Sequence, residues 1–255
     1  MPEFTSYAHG TPCWVDVTST DIGRTNAFYG ELFGWQAEDL GEAAGGYTMY
    51  TLNGKYVAAG SPPPPGAEGV PPHWTTYLAS DDADATAAKV REAGGVVLME
   101  PFDVFDSGRM LIANDSTGAS FGVWQARDHL GAQLANEPGT VTWNECHSPD
   151  PTRAADFYAA VFGHTVDVAQ MGGNSEYRVL QVDGRGVAGL MSTREGEPPN
   201  WLTTFAVARC DESAAKAGDR GGNVRGEPFD LPAIGRFAVL QDPVGAVFGI
   251  LEPPA

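Results

Sequence analysis

Cysteine is scarce in this sequence. Of the 255 residues, three are cysteine, Cys13, Cys146 and Cys210, and no two of them form a Cys-x-x-Cys pair. A disulfide framework or a structural zinc ribbon needs more cysteines at closer spacing. The sequence therefore argues against both kinds of scaffold and favours a reducing cytoplasm as the location.

Long apolar runs are also missing. No stretch of about 18 apolar residues occurs, so no segment is predicted to span a membrane as a helix. The first residues carry neither the basic segment nor the apolar segment of a secretory signal peptide. We therefore expect a cytoplasmic protein without a membrane partner.

Basic residues are few. The chain has 15 Lys and Arg against 33 Asp and Glu, which gives a formal net charge of -18. A surface of this sign repels phosphate backbones, so we expect no nucleic-acid partner. Hydrophobic residues make up 42% of the chain, which is enough to form a substantial core.

The chain contains an internal repeat. Trp14 and Phe28 open motifs that recur at Trp143 and Phe157, and both pairs are separated by 129 positions. The motif Asp-x-x-Gly-Ala-x-Phe-Gly begins at Asp115 and recurs 127 positions later at Asp242, and both Asp residues are expected to fix hairpin turns. So many matches in the same order predict a tandem duplication of a unit of about 127 residues. The predicted organisation is an N-terminal tail over 1–10, a first domain over 11–126, a linker over 127–139 and a second domain over 140–253.

Each half divides again into two similar modules. Asp21 and Gly34 bracket a segment with helical spacing, as N-cap and C-cap, and Asp150 and Gly163 do so in the second half. Short strand-like runs surround each predicted helix. The pattern predicts an α+β protein of four β-α-β-β-β modules, and it leaves open which modules pair with each other.

These motifs resemble those of the vicinal oxygen chelate superfamily, which contains glyoxalases, bleomycin-resistance proteins and extradiol dioxygenases. The resemblance covers roughly 11–253 and rests on the Phe-Tyr…Phe-Gly helices and the Asp-x-x-Gly-Ala-x-Phe-Gly strands. More narrowly, the chain is similar to tandem glyoxalase-like proteins of actinobacteria, some of which are labelled hydroxylases. The resemblance implies two glyoxalase-like domains whose sheets form half-open barrels, with a ligand in the concavity.

The resemblance also implies a divalent metal held by His, Gln or Glu. The matching positions in this sequence are Trp14, Tyr50, Thr75 and Gly122 in the first half, and Trp143, Leu180, Leu202 and Gly249 in the second. Trp, Leu and Gly side chains offer no ligand of the kind that Zn²⁺, Ni²⁺ or Fe²⁺ requires. We therefore expect no metal site and no cofactor.

Strand alternation predicts what lies in the concavities instead. Side chains at i and i+2 share one face, so Asp16 accompanies Trp14 and Glu145 accompanies Trp143. An indole is an apolar wall, and a carboxylate can accept a hydrogen bond or act as an acid or base. The other predicted lining residues are Tyr50, Thr75 and Tyr77 in the first cavity, and Arg178, Leu180, Leu202 and Thr204 in the second.

Each of these residues also has a structural interpretation. Trp14 and Trp143 can be core residues that fill vacated metal sites. Glu145 can form only a buried ion pair with Arg178. His147 is expected to be solvated or structurally bonded.

Three functions remain open at this point. The sequence favours a metal-free protein that binds a small aromatic or polyketide-like metabolite, for resistance, sequestration or secondary metabolism. The alternatives are a tailoring enzyme (a lyase, isomerase, cyclase or hydroxylase-like oxygenase) with Asp16 or Glu145 as acid or base, and an interaction module with filled pockets. The expected partner is a small molecule, and the chain is expected to be a monomer or a homodimer.

Overall fold

The computed structural model describes residues 3–67, 69–170 and 176–254, and within them it contains four α-helices and seventeen strands. The first half contains β1 (Pro12–Thr18), α1 (Ile22–Phe33), β2 (Gln36–Asp39), β3 (Thr48–Leu52), β4 (Lys55–Ser61), β5 (His73–Ala79), α2 (Ala83–Glu92), β6 (Val96–Val104), β7 (Gly108–Asn114) and β8 (Ser120–Ala126). The second half contains β9 (Val141–Ser148), α3 (Pro151–Phe162), β10 (Thr165–Gln170), β11 (Glu176–Val182), β12 (Arg185–Ser192), β13 (Asn200–Ala206), α4 (Cys210–Asp219), β14 (Asn223–Val224), β15 (Phe229–Leu231), β16 (Gly235–Gln241) and β17 (Val247–Glu252).

The predicted caps determine where α1 and α3 begin and end. The Asp21 and Asp150 carboxylates each accept a hydrogen bond from the backbone N–H three residues later. Gly34 and Gly163 end the helices in the left-handed conformation, with φ of 79° and 76°. Each helix thus satisfies terminal backbone groups locally, as the sequence predicts.

Two open sheets follow from the strand pairing. The first has the order β2-β3-β4-β1-β5-β8-β7-β6, and the second β10-β11-β12-β9-β13-β17-β16-β14, with β15 paired to β16. Within each sheet the two modules meet where central strands pair antiparallel, β1 with β5 and β9 with β13. Modules therefore share sheets as first with second and third with fourth. The α+β class is as predicted, and the sheets are not closed into barrels.

The helices pack crosswise between the two halves. One core cluster joins Phe28, Tyr29 and Phe33 of α1 to Phe205 and Phe248 of the second sheet, and α4 packs into the same cluster. A second cluster likewise joins α2 and strands of the first sheet to α3 and strands of the second. The helix-bearing face of each sheet is thus buried between the halves, and the opposite faces point away from this core.

The longest helices in the described part of the chain, α1 and α3, have 12 residues each, and none in that part is long and apolar enough to cross a bilayer.

Candidate functional site

The central strands of the first sheet carry four of the predicted site residues. Residues directly opposite each other in an antiparallel pair point to the same face of the sheet. Trp14 lies opposite Tyr77, and Asp16 lies opposite Thr75. These four side chains define what we call the first concave face, on the side of the sheet away from the helices.

The second sheet repeats this arrangement. Trp143 lies opposite Thr204, and Glu145 lies opposite Leu202. These four residues define the second concave face. The indole and the carboxylate of each half therefore lie on the predicted side.

A hydrogen-bonded network surrounds the carboxylate of the first concave face. Trp14 Nε1 donates to the Tyr47 hydroxyl at 3.0 Å, and that hydroxyl donates to Asp16 Oδ2 at 3.1 Å. Tyr77 donates to the same oxygen at 2.9 Å. Burial of Asp16 raises its pKa to about 6, and the hydrogen bonds from Tyr77 and Tyr47 oppose that shift. The hydrogen bonds that Asp16 Oδ2 accepts thus come from protein side chains, and Asp16 is only 6% exposed.

The linker between the halves covers the first concave face. The His129 ring meets Trp14 edge-on with 4.5 Å between centroids, and the His129 backbone carbonyl accepts from Trp124 Nε1 at 2.8 Å. Further along, the Ala132 backbone N–H donates to the Cys13 carbonyl at 2.8 Å. Burial lowers the pKa of His129 to about 4. The first concave face is therefore a filled interior, as the structural interpretation of Trp14 expects.

Gly122 occupies a position where the family resemblance implies a metal ligand. Its lack of a side chain leaves room for the residues that fill the first concave face. A Cβ at Gly122 would overlap the Tyr77 ring, so only glycine allows Tyr77 to take its place beside Asp16. In the second half, a Cβ at Gly249 would lie 2.9 Å from Phe237 Cε2 and closer still to the Thr204 hydroxyl. Both glycines serve close packing.

The second concave face has the same core arrangement but a more open surface. Trp143 Nε1 donates to the Tyr177 hydroxyl at 2.8 Å, and this hydroxyl lies near the Glu145 carboxylate. His147 Nε2 lies 2.7 Å from Glu145 Oε1. Burial, followed by the nearby Glu145 charge, raises the pKa of Tyr177 well above its usual value. Unlike Trp14, the Trp143 side chain is partly exposed.

Two side chains of these faces also differ between the halves. Thr204 stands where the first half has Tyr77, which removes one aromatic ring from the face. His147 stands where the first half has Thr18, two residues beyond the carboxylate. The side chains of Glu145 and His147 remain 16% and 17% exposed, so both keep some contact with solvent.

Tyr50 and Arg178 were predicted to line the two cavities. This prediction is wrong, because both side chains point to the helix side of their sheets. Tyr50 pairs with Ala58 on the helix side and donates to Asn26 of α1 at 2.6 Å. Arg178 donates to Thr152 of α3 at 2.8 Å. The predicted register differs from the observed one by a single residue, and a shift of one residue moves a strand side chain to the opposite face of the sheet.

Two further predictions about β11 are also wrong. Leu180 is fully buried in the core between the halves and does not line the second concave face. The ion pair of Arg178 is with Glu176 at 2.7 Å, so its predicted pairing with Glu145 is also wrong.

Three residues of these sites were missed or underrated from the sequence. Tyr47 and Tyr177 each accept the indole hydrogen bond of their half, and each opens the strand-like run after the first helix of that half. His147 was expected to be solvated or structurally bonded, and it is hydrogen-bonded to Glu145. The alternation that places Glu145 on the concave face also places His147 there.

The residues present do not fit the metal that the family resemblance implies. On the first concave face the carboxylate is enclosed by hydroxyls, and on the second the donors close together are Glu145 and His147. Across residues 3–67, 69–170 and 176–254, no three His, Cys, Asp or Glu residues lie close enough to hold a metal ion.

A cleft of about 410 Å³ lies at the junction of the halves. Its walls include Tyr7, Trp14, Asn136, Trp143 and Arg185. Trp143 therefore borders both this cleft and the second concave face.

Comparison with known proteins identifies relatives of the whole chain. The family model described as Glyoxalase/Bleomycin resistance protein/Dioxygenase superfamily matches residues 13–123. CFP32 of Mycobacterium tuberculosis (strain CDC 1551 / Oshkosh), which is named as a candidate glyoxylase, is 48% identical over 257 residues, covering 99% of this chain and 98% of the relative. DnrV of Streptomyces peucetius, named as an anthracycline biosynthesis protein, is 38% identical over 263 residues, covering 97% of this chain and 95% of the relative.

Solved structures share the fold at low sequence identity. The Mn(II)-bound glyoxalase from Novosphingobium aromaticivorans has a TM-score of 0.66 at 18% identity, covering 96% of this chain and 83% of that one. The 2,3-dioxygenase LapB from Pseudomonas sp. KL28 has a TM-score of 0.68 at 11% identity, covering 98% and 94%. With the family match and the two full-length relatives, these likenesses lead to one conclusion: the chain belongs to the glyoxalase/bleomycin resistance protein/dioxygenase superfamily.

Proposed function

We propose that this protein binds a small aromatic or polyketide-like metabolite on its second concave face without the help of a metal ion. One observation carries the proposal. The two halves share an indole–tyrosine–carboxylate arrangement, and the copy around Glu145 is partly open whereas the copy around Asp16 is enclosed by Tyr77 and His129.

The chemistry of the second concave face supports an aromatic ligand. Trp143 and Tyr177 supply aromatic surface, and Leu202 adds an aliphatic wall. Glu145 and His147 are the polar groups that can orient a hydroxyl-bearing ring. Apolar walls with few polar groups are typical of sites for small organic molecules. The name of DnrV refers to anthracycline biosynthesis, which agrees with this ligand class.

Tryptophan fluorescence tests this proposal directly. A panel of hydroxylated polycyclic aromatic compounds is titrated into the protein in the presence of a chelator, and calorimetry provides the affinities. We expect saturable quenching by some members of the panel, and at least about tenfold weaker binding by the Trp143→Ala variant, because a large aromatic contact is lost.

Trp14→Phe is the matched control, because it alters the equivalent indole on the filled face. Its affinity should stay close to that of the wild type. The proposal is wrong if no compound quenches, or if Trp143→Ala binds as tightly as the wild type.

A tailoring enzyme is the second candidate, and the contact of Glu145 with His147 favours it. A carboxylate hydrogen-bonded to an imidazole can act as an acid–base pair. Incubation of each bound compound with the protein, followed by mass spectrometry, tests for turnover. If the protein is such an enzyme, Glu145→Gln should retain binding and lose turnover, while Asp16→Asn should keep both.

A further inference from the structure

His147 has a defined orientation on the second concave face. Its Nε2 lies 2.7 Å from Glu145 Oε1, which is the distance of a charge-assisted hydrogen bond. A carboxylate accepts hydrogen bonds and does not donate them, so the contact requires a proton on Nε2. In neutral His147, Nδ1 is then the unprotonated nitrogen and carries the free lone pair.

The Nδ1 atom of His147 has no hydrogen-bond partner in the described parts of the chain, and the His147 side chain is 17% exposed. The residues opposite His147 in the neighbouring strands are Met191 and Asn200, neither of which titrates. The titratable groups around the pair are Glu145 on the same strand and Tyr177 on β11, which burial keeps neutral.

The Glu145 carboxylate is itself held in place. It is hydrogen-bonded to His147 and lies near the Tyr177 hydroxyl, which accepts a hydrogen bond from Trp143 Nε1 at 2.8 Å. The carboxylate therefore lies directly beside the imidazole. The aromatic side chains that would contact a ligand are parts of the same network.

We propose that His147 Nδ1 accepts the proton of an acidic phenolic hydroxyl on the bound aromatic ligand, and that Glu145 stabilises the resulting imidazolium. The O–H bond of the phenol breaks, an N–H bond forms at Nδ1, and the ligand remains bound as a phenolate. The step needs no oxidant or reductant. This inference rests on the proposed function and narrows its ligand to aromatic compounds with an ionisable hydroxyl.

A nitrophenol is a suitable probe, because its anion absorbs at a longer wavelength than its neutral form. The protein is titrated with 4-nitrophenol at a pH where the free probe is mostly neutral, and binding is followed separately by tryptophan fluorescence and calorimetry. We expect the bound probe to show at least about a tenfold higher ratio of anion to neutral form than the free probe, which corresponds to a fall of one unit in its apparent pKa.

Variants and a matched ligand identify the groups involved. His147→Gln should abolish the excess anion, and Glu145→Gln should reduce it. His73→Gln, which changes a histidine of the first half, should leave it unchanged. The methyl ether 4-nitroanisole has no proton to give, so its affinity should be nearly the same for the wild type and His147→Gln.

A measurement on the wild type avoids dependence on the folding of variants. Nitrogen NMR of histidine-labelled protein should show one imidazole shifting toward the imidazolium form when 4-nitrophenol is added, and no such shift with 4-nitroanisole. If both compounds bind but the phenol stays neutral, the proton-transfer inference is overturned and the proposed function stands. If neither compound nor any member of the aromatic panel binds, both fail.

Discussion

Tyr29 of the first half donates its hydroxyl hydrogen to Asp242 Oδ2 of the second half at 3.1 Å, and Tyr158 makes the reciprocal contact with Asp115 Oδ2, also at 3.1 Å. The other oxygen of Asp115, Oδ1, accepts from the backbone N–H groups of its own turn, as the sequence predicts. Each Asp of the repeated Asp-x-x-Gly motif therefore fixes a hairpin and also joins the two halves.

Removal of one of these hydroxyls should destabilise the whole chain. Tyr29→Phe or Tyr158→Phe leaves a buried carboxylate with one donor fewer, so we expect the free energy of unfolding to fall by about 1–3 kcal/mol. Urea denaturation measures the effect. Tyr56→Phe is the control, since no hydrogen bond to its hydroxyl is present in the described chain, and an equal loss in this variant would contradict the assignment.

Gly122→Ala tests how the first concave face is packed. The new methyl group overlaps the Tyr77 ring, and we expect a loss of about 1–3 kcal/mol in the free energy of unfolding. Gly218→Ala in α4 is the matched control, because a Cβ there meets no heavy atom within 4 Å and alanine stabilises a helix by up to about 1 kcal/mol relative to glycine. Thermal unfolding of both variants should give changes of opposite sign.

Asp16 and His129 should give opposite pH dependences. Asp16 has a raised pKa of about 6 in the folded state, so the stability from its protonated form is complete below about pH 4 and is lost as the pH rises through 6. His129 has a lowered pKa of about 4, so its contribution is complete above about pH 6.5 and is lost as the pH falls through 4.

Single variants separate these two contributions. The unfolding free energy of Asp16→Asn, relative to the wild type, should rise by about 2 kcal/mol between about pH 4 and pH 7. His129→Gln should show a change of the opposite sign over the same range. Denaturation curves that keep a constant offset from the wild type at every pH would disagree with the buried environment of both groups.

Chelation tests the expectation that no metal is needed. We expect exhaustive treatment with a chelator to leave both ligand affinity and unfolding free energy unchanged, because the described residues of the second concave face offer no complete ligand set. Calorimetry before and after treatment is the measurement. A loss of binding that is restored by one divalent metal, and not by others, would show that ligand binding does require a metal ion.

Local signals in the sequence were sufficient for most of the fold. The caps at Asp21 and Asp150 and the glycine stops predicted α1 and α3. β2 was not predicted, because its four residues, Gln36–Asp39, are all exposed and show no alternation of apolar and polar positions. The pairing of modules depends on contacts between distant strands, which periodicity within one strand cannot report.

The candidate site was only partly predictable for the same reason. Alternation correctly joined Trp14 to Asp16 and Trp143 to Glu145, since each pair lies on one strand. It could not determine the absolute face of Tyr50, which requires knowledge of the cross-strand partner. The covering of the first concave face by His129 is a long-range contact that no local pattern signals.

The crosswise packing of the helices has a consequence for how the two halves can differ. Because α1 packs against Phe205 and Phe248 of the other half, apolar burial stabilises the chain in a layer separate from both concave faces. One concave face can therefore be filled by its own side chains while the other stays more open. Cutting the chain between the halves would expose the aromatic residues of that shared layer, so neither piece should keep its concave face folded alone.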